Sequence, residues 1–136
     1  MAASSPTASL PSRRLSEQPD AIAPDGSEVR VLCAASKGSM AQFTLPPGAV
    51  SRAVAHHRLE ELWFILSGTG RMWRSLDGQE EITALSPGLS LAIPPRTHFQ
   101  FRCDGAEPLV ALGVTMPPWT DASECYAVEG PWTPTL

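Results

Sequence analysis

Short hydrophobic runs separated by proline and glycine dominate this chain from residue 28 onward and leave little room for helices. Nine runs of about strand length follow one another: EVRVLCAA, SMAQFTL, SRAVAHH, LWFILS, RMWRSL, EEITAL, LSLAIP, HFQFRC and PLVALGVTM. In most of them apolar and polar residues alternate, which is the pattern of a strand with one buried face. Many short strands at even spacing predict an all-β fold, either a closed barrel or a sandwich.

The residues between these runs are typical of turns. Asp77-Gly78 and Asp104-Gly105 are hairpin signals, because glycine adopts a positive φ without a Cβ clash. The Pro94-Pro95 pair cannot lie inside a central strand. The fourteen prolines and ten glycines of the chain therefore mark the ends of strands and the corners of a barrel.

Length and charge limit the class of protein. A chain of 136 residues is about one domain. Residues 1–25 are rich in serine, proline and alanine and predict a flexible tail or an arm that docks on a neighbouring surface. Residues 26–136 predict a single barrel, wrapped by the proline- and tryptophan-rich segment that follows Met116. A net charge of -4 argues against nucleic acid as a partner, and no apolar run approaches the length of a membrane span.

Three scattered cysteines, Cys33, Cys103 and Cys125, form neither a CxxC pair nor a zinc spacing. We interpret them as small buried or half-buried thiols in a reducing compartment. The first twenty residues also lack the continuous apolar segment of a secretory signal. Together these features predict a cytoplasmic protein.

The three histidines of the chain, His56, His57 and His98, all fall beside strand–turn boundaries. Strand alternation places Glu61 and Trp63 on one face of the run that follows the adjacent pair. Polar groups that converge inside a barrel need partners, and a divalent metal is an economical partner for two or three imidazoles and one carboxylate.

On HFQFR the same alternation groups His98 with Gln100 and Arg102, opposite Phe99 and Phe101. We expect Gln100 to supply or support a ligand. Arg102 is predicted to be either a surface residue or a group that binds an anionic substrate. Trp63 is the aromatic residue expected to line the pocket, because it shares the face of Glu61.

Two segments resemble the paired motifs of the cupin superfamily. In the first, Glu61 is followed by LWFILS and Gly68, and three or four residues separate it from His57 or His56. In the second, Gly88 is followed by LSLAI and Pro94, with His98 shortly after. The resemblance covers about residues 38–116. It implies an antiparallel double-stranded β-helix, the jelly-roll barrel of cupins, with a metal bound by His56, His57, Glu61 and His98.

The motifs also depart from the family pattern. The first histidine of the usual His-x-His pair would fall at Val54 or Ala55 and is missing, and Arg96 replaces the usual glycine of the second motif. Two alternatives follow for the adjacent histidines. Either only one of His56 and His57 points inward, or a local bulge turns both inward.

The resemblance implies a pocket that binds Fe, Mn, Ni or Zn and acts on a small organic substrate, in the manner of a dioxygenase or an isomerase. The alternative is a metal-poor module that binds a small molecule without catalysis. A structural or dimerisation role without a ligand is a third possibility. Apolar outer strands also predict a homodimer, because such faces need covering.

Overall fold

The structure is a computed structural model that describes residues 10–136. Eleven strands lie within this range. They are β1 (Ala21–Ile22), β2 (Glu28–Ala34), β3 (Ser39–Leu45), β4 (Val54–His56), β5 (Glu60–Ser67), β6 (Gly70–Leu76), β7 (Gln79–Leu85), β8 (Ser90–Ile93), β9 (His98–Cys103), β10 (Leu109–Met116) and β11 (Cys125–Ala127). The only helix within this range is a single 3₁₀ turn, Ala122–Glu124. The predicted all-β class is therefore confirmed.

Two antiparallel sheets form the barrel. The larger has the order β1-β2-β3-β10-β5-β8 and the smaller β11-β4-β9-β6-β7. Sheet neighbours such as β3 and β10 are far apart in sequence and pair through seven residues, from Leu109 with Leu45 to Thr115 with Ser39. The tight β6–β7 hairpin turns at Asp77 and Gly78, whose φ values are 50° and 82°, as the Asp-Gly signal predicts.

Alternation along β5 decides which side chains enter the barrel. Glu61, Trp63 and Ile65 are buried, whereas Leu62 and Phe64 are exposed. Buried side chains from both sheets form one core. Its members are Leu45, Ala49, Val54, Trp63, Ile65, Met72, Leu85, Leu91, Ile93, Phe99, Phe101, Cys103, Leu109 and Ala111.

Segments from both sides of the strand-rich region lie against the barrel. Residues 16–25, part of the predicted tail or arm, run along β2, where the Arg30 guanidinium donates to the carbonyls of Ser16 (3.0 Å) and Glu17 (2.9 Å). The segment after residue 130 crosses the outer face of β9. There Gln100 exchanges hydrogen bonds with the backbone of Trp132. Residues 1–9 of the predicted tail lie outside the described residues.

In the described part of the chain, no helix has the length and hydropathy that crossing a membrane requires.

Candidate functional site

A cavity of about 450 Å³ lies inside the barrel and is lined mainly by apolar side chains. Val29 and Phe43 line it from the larger sheet, and Val54 and Phe99 from the smaller. Its polar groups come from several parts of the chain: Asp25, Ser39, His56, Glu61, Thr115 and Cys125. The segment after β10, including Trp119, forms part of its wall.

A buried histidine–carboxylate pair is the chemical centre of this cavity. Nε2 of His56 lies 2.5 Å from Oε2 of Glu61, and both side chains are at least nine-tenths buried. The other carboxylate oxygen accepts a 2.9 Å hydrogen bond from the Trp63 indole. Because Trp63 stacks on Phe43 and contacts Phe101 edge-on, packing fixes the orientation of the carboxylate.

The turn between β4 and β5 places the two partners opposite each other. Glu124 holds this turn from the 3₁₀ helix, since its carboxylate accepts hydrogen bonds from the backbone amides of Arg58 and of Leu59 (2.8 Å). Burial alone would raise the pKa of Glu124, but these amides and the Arg58 guanidinium lower it below its usual value. The His56 carbonyl also accepts from the Arg96 amide (3.0 Å). The two sequence motifs therefore meet at the end of β4.

The environment of His56 favours its cationic form. Burial lowers the pKa of the imidazole, but the Cys125 side chain and the Glu61 carboxylate outweigh burial and raise the pKa of His56 to about 10. Phe99 and Trp119 flank the ring, each with its centroid 5.7 Å away. Nδ1 is buried and has no hydrogen-bond partner among residues 10–136. Glu61 thus fixes Nε2 of the ring, and Nδ1 is available for a further hydrogen bond.

Asp25 adds a second buried carboxyl to the cavity wall. It accepts hydrogen bonds from the Ser27 amide (2.9 Å) and hydroxyl (2.7 Å). Desolvation raises the pKa of Asp25 above its usual value despite these bonds, and the negative charge of Glu61 contributes. Asp25 therefore resists ionisation inside the apolar cavity.

The structure answers the question about the adjacent histidines: His56 enters the cavity, and His57 does not. His57 is exposed, with its ring 4.6 Å from that of Tyr126. No bulge turns both inward, because β4 ends at His56 and the chain then bends away.

The polar face of β9 does not converge with Glu61, contrary to the sequence-based expectation. Phe99 and Phe101 occupy the interior, so the two-residue period directs His98, Gln100 and Arg102 to the opposite face. His98 is half-buried, with its ring 6.5 Å from the Tyr126 ring.

Gln100 and Arg102 are also not in the cavity predicted for a substrate. Gln100 is buried beneath the segment that contains Trp132. Arg102 lies over the Trp132 ring at 5.4 Å and pairs with Asp104 at 2.8 Å. Trp63, the third residue predicted to contact a substrate, does line the cavity, unlike Gln100 and Arg102.

Sequence reasoning missed Asp25 and did not assign Cys125 to the site. Pro24-Asp25-Gly26-Ser27 is readable as a turn, but nothing in it indicates that the carboxyl points into a cavity. Cys125 pairs with His56 across strands that are sixty-nine residues apart, a contact without a local sequence signal. Trp119, in the segment after Met116 predicted to wrap the barrel, also contacts His56.

The donor set does not fit a divalent metal. Two of the four predicted ligands, His56 and Glu61, meet, and they are bonded directly to each other. Within residues 10–136 no group of three or more histidine, cysteine, aspartate or glutamate side chains is arranged to hold a metal ion. A catalytic zinc site, by comparison, has three protein ligands.

Comparisons with known proteins agree with this architecture. The cupin domain family matches residues 41–115. An uncharacterised protein of Methanocaldococcus jannaschii, MJ1618, is 31% identical over 104 residues, which cover 73% of this chain and 80% of that protein.

Solved structures share the fold. A double-stranded β-helix protein from Klebsiella pneumoniae aligns with a TM-score of 0.63 at 16% identity, over 76% of this chain and 85% of that chain. Oxalate decarboxylase from Bacillus subtilis, a protein with Mn(II) centres, aligns with a TM-score of 0.70 at 21% identity. That alignment covers 93% of this chain and 35% of the decarboxylase. With the family match over more than half its length, this chain belongs to the cupin domain family.

Proposed function

We propose that this cupin binds a small, largely apolar organic molecule in its barrel cavity and orients it through the His56–Glu61 pair. The observation that supports this most strongly is the combination of an apolar cavity of about 450 Å³ with one buried polar cluster. Ligand pockets are commonly of this size and pair apolar walls with a few fixed polar groups. The cationic imidazole favours a ligand with one anionic or hydrogen-bond-accepting group.

Ligand-observed NMR with small aromatic and aliphatic carboxylates, alcohols and hydrocarbons tests this proposal. Ala41 lines the cavity, so Ala41→Phe is expected to fill it and to weaken binding about tenfold or more. Ala84 is exposed on β7, and Ala84→Phe is the matched control expected to bind normally. Equal binding by both variants, or no carboxylate binding by the unmodified protein, would refute the proposal.

Metal analysis of the same purified protein tests the alternative that the pocket needs a bound metal to bind its ligand. The likeness to a protein with Mn(II) centres motivates that alternative, although the donor set does not fit it. We expect mass spectrometry to find well below one Fe, Mn, Ni or Zn per chain, with ligand binding unchanged by a chelator. A stoichiometric metal whose removal abolishes ligand binding would replace the present proposal.

We further propose that the chain is a homodimer through the outer face of the larger sheet. Leu62 and Phe64 are exposed on β5, and Leu112 and Val114 are their direct cross-strand partners on β10. Leu66 extends this surface. A contiguous apolar patch across neighbouring strands is typical of a protein–protein contact.

Light scattering at micromolar concentration is expected to give twice the 14.5 kDa chain mass. Phe64→Glu should give the monomer, because a charge would be buried without a partner. Ile82 is similarly exposed on β7 of the other sheet, so Ile82→Glu is the matched control and should stay dimeric. A monomeric unmodified protein would contradict the proposal.

A further inference from the structure

Cys125 lies in the cavity directly beside the histidine–carboxylate pair. It is the first residue of β11 and the cross-strand partner of His56 on β4. Its side chain is half-buried, forms no disulfide and lines the same cavity as His56 and Glu61. A thiol, an imidazole and a carboxylate from three strands are therefore neighbours inside an apolar enclosure.

The carboxylate, the imidazole and the thiol form a sequence in which His56 links Glu61 to Cys125. Glu61 binds Nε2, and Trp63 in turn holds Glu61. Cys125 also acts on the ring, since it and Glu61 raise the pKa of His56. A nucleophile beside an imidazole that a carboxylate holds in place is the arrangement that activates cysteine and serine nucleophiles. A cationic imidazole also stabilises a neighbouring thiolate, the nucleophilic form of cysteine.

We propose that Cys125 is a reactive thiol that forms covalent adducts with small apolar α,β-unsaturated carbonyl compounds, with His56 as its proton partner. Glu61 is a positioning residue that acts through His56. This inference rests on the proposed ligand cavity and adds a bond-forming group and a ligand class to it.

The addition balances without any further reactant. Cys125 reacts as a thiolate paired with the cationic His56, and its sulfur lone pair forms a bond to the β-carbon of the ligand. The electrons of the carbon–carbon double bond move toward the carbonyl to give an enolate. His56 then gives a ring proton to the α-carbon and becomes neutral. One S–C bond and one C–H bond form while one N–H bond and one carbon–carbon π bond are lost, so no leaving group or oxidant is required.

The other two cysteines are internal references. Cys33 is exposed, and no described contact joins it to a histidine. Cys103 is buried, and its sulfur lies 3.1 Å from the Glu107 carbonyl oxygen. Neither cysteine has the histidine–carboxylate neighbour of Cys125.

N-ethylmaleimide, a conjugate acceptor, tests the proposal on the full chain, with peptide mass spectrometry giving a separate rate for each cysteine. We expect the ratio of the Cys125 rate to the Cys33 rate to increase as pH falls from 8 to 6. His56 stays cationic over this range, and a neighbouring cation favours the nucleophilic form of a thiol, so the rate at Cys125 should fall less with pH than the rate at Cys33. This measurement uses the unmodified protein, so it does not require any variant to fold.

Variants provide the second arm. His56→Gln should slow the modification of Cys125 about tenfold or more at pH 7, whereas His57→Gln, at the exposed neighbour, should leave it unchanged. Glu61→Gln should shift the pH dependence of the Cys125 rate without affecting Cys33. A Cys125 rate that follows Cys33 at every pH, or that is indifferent to His56, overturns the proposal. If Cys125 proves unreactive but the cavity still binds carboxylates reversibly, the proposed cavity function stands. If neither the reactivity nor the binding is found, both proposals are refuted.

Discussion

Glu61→Ala is expected to lower the free energy of unfolding by about 3–5 kcal/mol at pH 7, the typical cost of removing one partner of a buried ion pair. The variant leaves the charge of His56 inside the barrel without its counter-ion, since Nε2 loses its 2.5 Å contact. It also leaves the Trp63 indole N–H without its acceptor. Both losses act in the same direction, because unsatisfied buried polar groups are costly.

Urea denaturation monitored by circular dichroism measures this change. Glu60 precedes Glu61 and is exposed, so Glu60→Ala is the matched control and should change stability by less than about 0.5 kcal/mol. Equal effects of the two substitutions would show that the carboxylate of Glu61 is not paired as described.

The second large effect concerns alkaline pH. The pKa of His56 is raised from its ordinary value of 6.5 to about 10 in the folded protein. A group whose pKa is higher in the folded state stabilises the fold fully below its unfolded value, and this contribution is lost as pH rises through the folded value. The protein should therefore lose stability between about pH 6.5 and pH 10.

Comparison with His56→Gln isolates this contribution from other groups that ionise at high pH. The groups facing His56 are Glu61 from β5, Cys125 from β11 and Asp25 from the β1–β2 connection. We expect the difference in unfolding free energy between the unmodified protein and His56→Gln to shrink by on the order of 3 kcal/mol from pH 6.5 to pH 10. A difference that stays constant or widens would contradict the raised pKa.

The fold was predictable because it depends on a repeated local pattern. Alternation on β5 assigned Glu61, Trp63 and Ile65 to one face, and the structure confirms this assignment. The departure at Arg96 is also informative. Its φ of 65° lies in the left-handed region that favours glycine, so the turn has this backbone conformation at the position where the motif usually has glycine.

The site was only partly predictable, because alternation does not say which face is inside. On β9 both faces contain groups that could be buried: Phe99 and Phe101 on one, His98 and Gln100 on the other. The aromatic face enters the core and the amide is buried outside it, under the Trp132 segment. Cys125 and Asp25 line the same cavity as His56 although they are distant from it in sequence, and no spacing rule reaches that far.

The position of Cys125 on a short edge strand links chemistry to dynamics. Among the strands of residues 10–136, β11 pairs only with β4, through three residues. Short edge segments of this kind open at a lower free energy than central strands. Local opening of β11 moves the nucleophile away from His56 and uncovers the cavity wall in one motion. The same opening would then release the ligand and inactivate the thiol. The lifetime of the β11–β4 pairing would therefore set the residence time of a reversibly bound molecule.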